Sequence, residues 1–148
     1  MKPTLILSLA ALALAGAAFG AAKHAPAAHA KPAVIKPAAQ QAAEEWLSMM
    51  DCGGYEECYD DAATLFRSQL TSDQWVKAVS SVRSPLGALK SRTLKTIRYT
   101  KTLPGAPDGD YAVIQYHTVF AKKASAIETI TPMKDSDGTW RVSGYFIR

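Results

Sequence analysis

The sequence predicts an α+β domain in which two to three N-terminal helices pack on a curved four-stranded antiparallel meander. Two observations carry this. Apolar residues recur at helical spacing from Ala39 to Val82, and from Arg92 onward the period changes to stretches rich in Thr, Val, Ile, Tyr and Phe, broken by turn residues.

Ala39, Ala42, Ala43, Trp46, Leu47 and Met50 lie at i, i+3, i+4, i+7, i+8 and i+11, one face of an amphipathic helix that ends at Gly53-Gly54. A second helical pattern follows in YEECYDDAATLFRSQL, with its early carboxylates where the macrodipole favours negative charge. Thr71-Ser72-Asp73-Gln74 fits a capping box and predicts a third helix through Trp75, Val76, Val79 and Val82, ending near Pro85-Leu86-Gly87. Trp46, Phe66 and Trp75 are the expected helical share of the core. The strands are expected in RTLKTIRYTKTL, DYAVIQYHTVFA, SAIETITPM and TWRVSGYFI, separated by PGAPDG, KK and DSDG, short connections that suit an antiparallel meander.

Upstream, one Lys and an apolar run from Leu5 to Ala15 read as a secretory signal peptide over 1–20, with 1–22 the other permitted cleavage. The run is too short to span a bilayer core of about 30 Å. With no cysteine before Cys52, no lipid anchor is expected. These features imply a periplasmic or secreted protein without a membrane anchor after cleavage. Residues 21–37, rich in Ala, Pro, Lys and His, form a linker, and 38–148 a single α+β domain of about 110 residues, enough for one core. His24 and His29 fall in the linker and read as spacer.

The formal charge is +4, from 17 Lys and Arg against 13 Asp and Glu. It is unevenly spread: all seven charges from Ala38 to Asp61 are carboxylates, whereas Ala62 to Pro107 has eight basic residues and one acid, Asp73. The basic stretch LKSRTLKTIRYTK has no nucleic-acid recognition motif, so nucleic acid is not an expected partner. An envelope protein or a small apolar or anionic ligand is.

WLSMMDCGGYEECYDDAATLF, QWVKAVSSVRSPLGALKSR, LPGAPDGDYAVIQY and ETITPMKDSDGTWRVSGYFIR together resemble an uncharacterised bacterial secreted family, the domain of unknown function numbered 4019, over nearly all of Ala39 to Arg148. The early helix ending in an Asp-x-Gly-x-Tyr turn and the final Gly-Thr-Trp-Arg-Val strand are also similar to cystatin-like and nuclear-transport-factor-2-like folds. Here the turn, Asp51-Cys52-Gly53-Gly54-Tyr55, is one residue longer. The resemblance implies a fold and a compartment, and no reaction.

Cys52 and Cys58 flank a Gly-Gly turn, and an oxidising compartment favours a disulfide between them. A metal site from both thiolates with Asp51 or Glu56 lacks Cys-x-x-Cys spacing and a nearby His, so neither metal nor cofactor is expected. If Lys122-Lys123 is a two-residue connection, His117 stands opposite Glu128, with Gln115 and Tyr111 on the same side of the strand. That pair is the catalytic candidate for a cone-fold isomerase or dehydratase; otherwise it is a solvated cross-strand ion pair contributing about a few tenths of a kcal/mol. Lys90, Arg92, Lys95, Arg98 and Lys101 form either an anion-binding face or the charged guard of an edge strand. Tyr99, Tyr111, Tyr116 and Tyr145 line an apolar pocket or belong to the core. The expected role is a non-enzymatic binding or accessory module of the envelope. The cone-fold enzyme is the alternative, and a structural or inhibitory interaction module the third reading.

Overall fold

The computed structural model describes residues 36–148. The expected signal segment and the linker as far as residue 35, with His24 and His29, lie outside the described residues. Four helices, α1 (Ala38–Asp51), α2 (Tyr55–Asp60), α3 (Thr64–Gln69) and α4 (Ser72–Arg83), lead through a 3-10 turn (Ser84–Leu86) into four strands. These are β1 (Leu89–Thr100), β2 (Tyr111–Phe120), β3 (Lys123–Lys134) and β4 (Trp140–Ile147), hydrogen-bonded in the order β1-β2-β3-β4, all antiparallel. The α+β meander is therefore as the periodicity predicts. Among the described residues no helix is long and apolar enough to cross a membrane.

α1 buries Ala39, Ala43, Trp46, Leu47 and Met50, the stripe that its sequence spacing dictates. It stops at Gly53, whose φ of 81° lets Gly53 N donate to Met50 O and Gly54 N to Met49 O, satisfying two terminal carbonyls. The second predicted helix is two, α2 and α3. Its periodicity is unbroken, but Ala63 N donates to Val142 O at 2.8 Å, and this bond to β4 takes Ala63 out of helical geometry. α4 begins at the predicted capping box: Gln74 N donates to Thr71 Oγ1 and Thr71 N to Gln74 Oε1.

The helices cover one face of the sheet. Between the layers Trp46 packs within 5.6 Å, centroid to centroid, of both Trp75 and Tyr145, and Phe66 meets Trp75 edge-on at 5.1 Å. Both buried indoles are satisfied, Trp46 Nε1 donating to Cys58 O and Trp75 Nε1 to Tyr55 O. On the sheet side the inward set is Ala112, Ile114, Tyr116, Thr118 and Phe120 of β2 with Ala126, Glu128, Ile130 and Pro132 of β3. Pro132 is tolerated in a central strand because the β3–β4 register shifts beside it, between Thr131 and Pro132.

The β2–β3 register departs from the expected one. The two-residue turn is Ala121-Lys122, with Phe120 paired to Lys123, and not the expected Lys122-Lys123; a bulge between Thr118 and Phe120 then moves the ladder by one residue, so Tyr116 faces Glu128 and His117 faces Ile127. A one-residue slip sends every side chain to the opposite face.

Candidate functional site

Four charged side chains from four elements converge under the helices: Asp51 at the end of α1, Arg83 at the end of α4, Arg92 of β1 and Glu128 of β3. Arg83 follows Trp75 and Val79 at four-residue intervals, so it occupies the buried face of α4 and points where an apolar residue would otherwise sit. Glu128 lies between the inward Ala126 and Ile130, is 0% exposed, and must find partners. It finds four donors. Arg83 Nη1 at 3.0 Å and Tyr145 Oη at 2.7 Å bond Oε1; Arg92 Nε at 2.7 Å and Thr118 Oγ1 at 2.6 Å bond Oε2. Asp51 closes the group from the other side, Oδ1 accepting from Arg83 Nη2 and Arg92 Nη2, and Oδ2 from Arg92 Nη1 at 2.6 Å. The Arg83 guanidinium also lies over the Phe120 ring, 4.6 Å from its centroid.

Two guanidiniums against two carboxylates make the cluster electrically neutral. Burial alone disfavours both charged guanidiniums. For Arg92 the hydrogen bonds and charges of Asp51 and Glu128 outweigh it and raise the pKa above the ordinary arginine value. For Arg83 the same holds, with Tyr145, Asp51 and Glu128 outweighing burial. Burial raises the Tyr145 phenol, reinforced by the Glu128 carboxylate. Tyr145 therefore stays a donor to Glu128 throughout the physiological range. Each of these hydrogen bonds runs between elements, which makes the cluster a clamp joining α1, α4 and all four strands.

The His117–Glu128 pair does not form. His117 is exposed on the uncovered face, its Nε2 within 3.2 Å of Ser125 Oγ, while Glu128 is inside; the turn at Ala121-Lys122 together with the bulge before Phe120 is the reason. Nor is Glu128 a solvated rung of the sheet.

The cysteines also depart from expectation: neither is in a disulfide. Cys58 is buried, its Sγ donating to Trp46 O at 3.6 Å, whereas Cys52 is exposed beyond the end of α1. The turn that ends α1 aims the two side chains at different environments. Burial, reinforced by Glu57 and Asp61, pushes the Cys58 thiol up to about 12. Among the described residues no His, Cys, Asp and Glu group is arranged to hold a metal ion.

Of the five basic residues on β1 and beyond, Lys90, Lys95, Arg98 and Lys101 are exposed, and Lys101 pairs with Asp110. Arg92 is the exception, because its position on the inward register of β1, opposite Thr118, delivers it to the clamp rather than to an anion-binding face. The four tyrosines do not share one pocket, although Tyr99 and Tyr111 line a common hollow of about 230 Å³ with Trp140. Tyr99 is exposed and edge-on to Trp140; Tyr111 is covered by its loop, donating to Pro107 O at 2.7 Å; Tyr145 is in the clamp. Tyr116 is buried in the core with a hydroxyl that makes no hydrogen bond among the described residues, and burial raises it to about 12.

On the uncovered face, Thr96, Arg98, Val113 and Gln115 line an open furrow of about 500 Å³ along β1 and β2, which also touches Ile97, the residue between them that packs against the core. It brings one expected anion-binding residue, Arg98, and one expected ligand-binding residue, Gln115, to the same place. Gln115 is fixed by donation from Nε2 to Thr129 Oγ1 at 3.4 Å.

Arg83 and Thr118 are the clamp residues that the sequence does not single out, and Asp51 stands out in it only as a ligand of the discounted metal site. The available signal was a charged or polar residue at a position whose periodicity demands burial. None of the curated proteins matches the chain. The model of a family described as a protein of unknown function matches residues 42–145, which include the clamp and the furrow, and the chain belongs to that family, DUF4019.

Proposed function

We propose that the chain is a non-enzymatic binding or accessory domain of the cell envelope, exported by a signal peptide at residues 1–20. One observation carries the reading: the face where a cone-fold enzyme would need free acid and base groups holds a neutral clamp, with both Glu128 oxygens occupied by four donors. A general base needs a lone pair aimed at substrate, and Glu128 has none to spare. His117, which would complete a catalytic pair, is on the opposite face beside Ser125.

The furrow on the uncovered face supports binding there. Val113 supplies apolar contact, and Arg98 and Gln115 supply charge and hydrogen bonds, a lining that suits a small amphipathic anion or an acidic protein segment. Native mass spectrometry of the protein isolated from its own envelope tests the reading. A ligand or partner held at whole-number stoichiometry and lost with Arg98→Ala is the expected result. Turnover of an isomerase- or dehydratase-type substrate that His117→Ala abolishes would make the protein an enzyme.

A further inference from the structure

At the end of the sheet where β1 enters the loop before β2, Tyr99, Tyr111 and Trp140 line their common hollow of about 230 Å³ with Thr100, Lys101 and Asp110. The register brings them together. Tyr99 and Thr100 end β1 opposite Ala112 and Tyr111, and Trp140 begins β4 opposite Lys134, whose N donates to Asp110 O at 2.9 Å. Although Tyr99 pairs with the inward Ala112, it is 53% exposed and stands edge-on to Trp140, with the ring centroids 6.2 Å apart and the planes at 76°. The two rings make a corner.

The other walls are fixed by the loop itself. Tyr111 donates to Pro107 O at 2.7 Å, and Gly109 comes so near its ring that a Cβ there would meet Cε2 at 3.4 Å. Gly109 N donates to Lys101 O at 2.9 Å, and the Lys101 ammonium pairs with the Asp110 carboxylate. A site already held in shape loses little freedom when a ligand enters it.

We propose that this hollow binds one neutral pyranose ring of the β-gluco configuration. Every substituent of that ring is equatorial, so its two faces present only C–H groups and its rim only oxygens. The faces match the aromatic corner of Tyr99 and Trp140, and the rim matches Lys101, Asp110 and Thr100, which offer donors and acceptors side by side. The hollow is smaller than the about 300–1,000 Å³ of sites for drug-sized ligands, a size for a single ring.

The charges select a neutral occupant. A cation drawn to the aromatic faces must compete with Lys101 for Asp110, and an anion must compete with Asp110 for Lys101. An apolar ligand would use the rings but strip water from the ion pair without replacing its hydrogen bonds. A ring of C–H faces and hydroxyl rim satisfies the whole lining. The site is separate from the furrow, since Tyr99 pairs with buried Ala112 whereas Arg98 and Val113 pair on the uncovered face, and the proposal stands whether or not the furrow binds anything.

Titration of the purified chain with methyl β-D-glucopyranoside, followed in 1H–15N correlation spectra, tests this. The expected result is a saturable shift of the Trp140 indole signal and of the backbone signals from Lys101 to Asp110, with a dissociation constant on the order of millimolar. The indole signals of buried Trp46 and Trp75 stay in place and report that the fold is intact. Tyr99→Ala raises the constant about tenfold or more, whereas Tyr99→Phe, which keeps the ring, stays within about threefold of the parent. Phe146→Ala, an exposed aromatic on β4 outside the hollow, has no effect. Should Tyr99→Ala displace the Trp46 and Trp75 signals, Asp110→Asn decides in its place, because it alters only the polar rim and is expected to weaken binding about fivefold. No saturation by about 50 mM glucoside, or binding indifferent to both Tyr99→Ala and Asp110→Asn, would overturn the proposal. So would tighter saturation of the Trp140 signal by tetramethylammonium, acetate or phenol, which would make the hollow a cation, anion or apolar site.

Discussion

Glu128 and His117 are near neighbours on adjacent strands, yet one is inside the protein and the other in water. Glu128 is held by four donors from four elements, and His117 by a single serine hydroxyl. The same contrast separates Cys58 from Cys52 across the turn after α1. The difference teaches where the fold is committed. On the covered face the buried polar side chains other than the Tyr116 hydroxyl are tied to another element, so a change there is felt throughout; on the uncovered face side chains answer only to solvent and to each other.

The largest test of that contrast is Glu128→Gln. The amide keeps the shape but removes one of two negative charges, leaves two buried guanidiniums facing Asp51 alone, and presents an NH2 to a donor. The expected loss is about 3–5 kcal/mol, read by urea unfolding. A cost below about 1 kcal/mol would mean that the clamp is open to water. Tyr145→Phe comes next. It deletes one donor to the Glu128 carboxylate while keeping the ring against Trp46, and the expected loss is about 1.5–3 kcal/mol.

Local chemistry was legible in the sequence wherever it sufficed. The Thr71–Gln74 box, the Gly53 stop and the order of four strands need only residues close in the chain. What was not legible depends on distant partners. The turn after β2 is held by Ala121 N donating to Ala88 O and Lys122 N to Leu86 O, beside Gly87 at φ 73°. Those bonds belong to the chain that leaves α4, and the bulge that rotates Glu128 inward lies next to that docked turn. No rule about two-residue connections contains them. The helix break at Ala63 has the same origin, in a bond to Val142. Arg83 was within reach, because its four-residue spacing from Val79 and Trp75 marks a buried position; an arginine there requires partners, and Asp51 and Glu128 are the carboxylates that meet it.

The cysteines sharpen the comparison at smaller amplitude. Because folding raises the Cys58 pKa from 9.0 to about 12, the folded state holds this proton more tightly than the unfolded chain does. The contribution is therefore fully present below about pH 9 and lost as pH rises toward about 12. Tyr116, raised from 10.0 to about 12 by burial, adds a loss of the same sign. The melting temperature should fall across that alkaline window and stay flat between neutrality and pH 9 as far as these two groups are concerned, and Cys58→Ala should shallow the fall. At neutral pH, iodoacetamide should label Cys52 in the native protein and Cys58 only after unfolding. Rapid native labelling of Cys58 would place it outside the core.

The smallest expected effect is the most discriminating. His117→Ala removes an exposed ring whose single polar contact is Ser125 Oγ, so stability should change by no more than about 0.5 kcal/mol. If the chain instead turned at Lys122-Lys123 with no bulge, His117 would oppose Glu128, and the two side chains would depend on each other. A double-mutant cycle with Glu128→Gln separates the cases without needing either absolute value. Side chains on opposite faces that share no partner should be additive within about 0.3–0.5 kcal/mol, even though Glu128→Gln alone is costly. Coupling beyond that would mean that the imidazole reaches the carboxylate in solution. The bulge before Phe120 would then be absent, and with it the clamp geometry that argues for a binding domain.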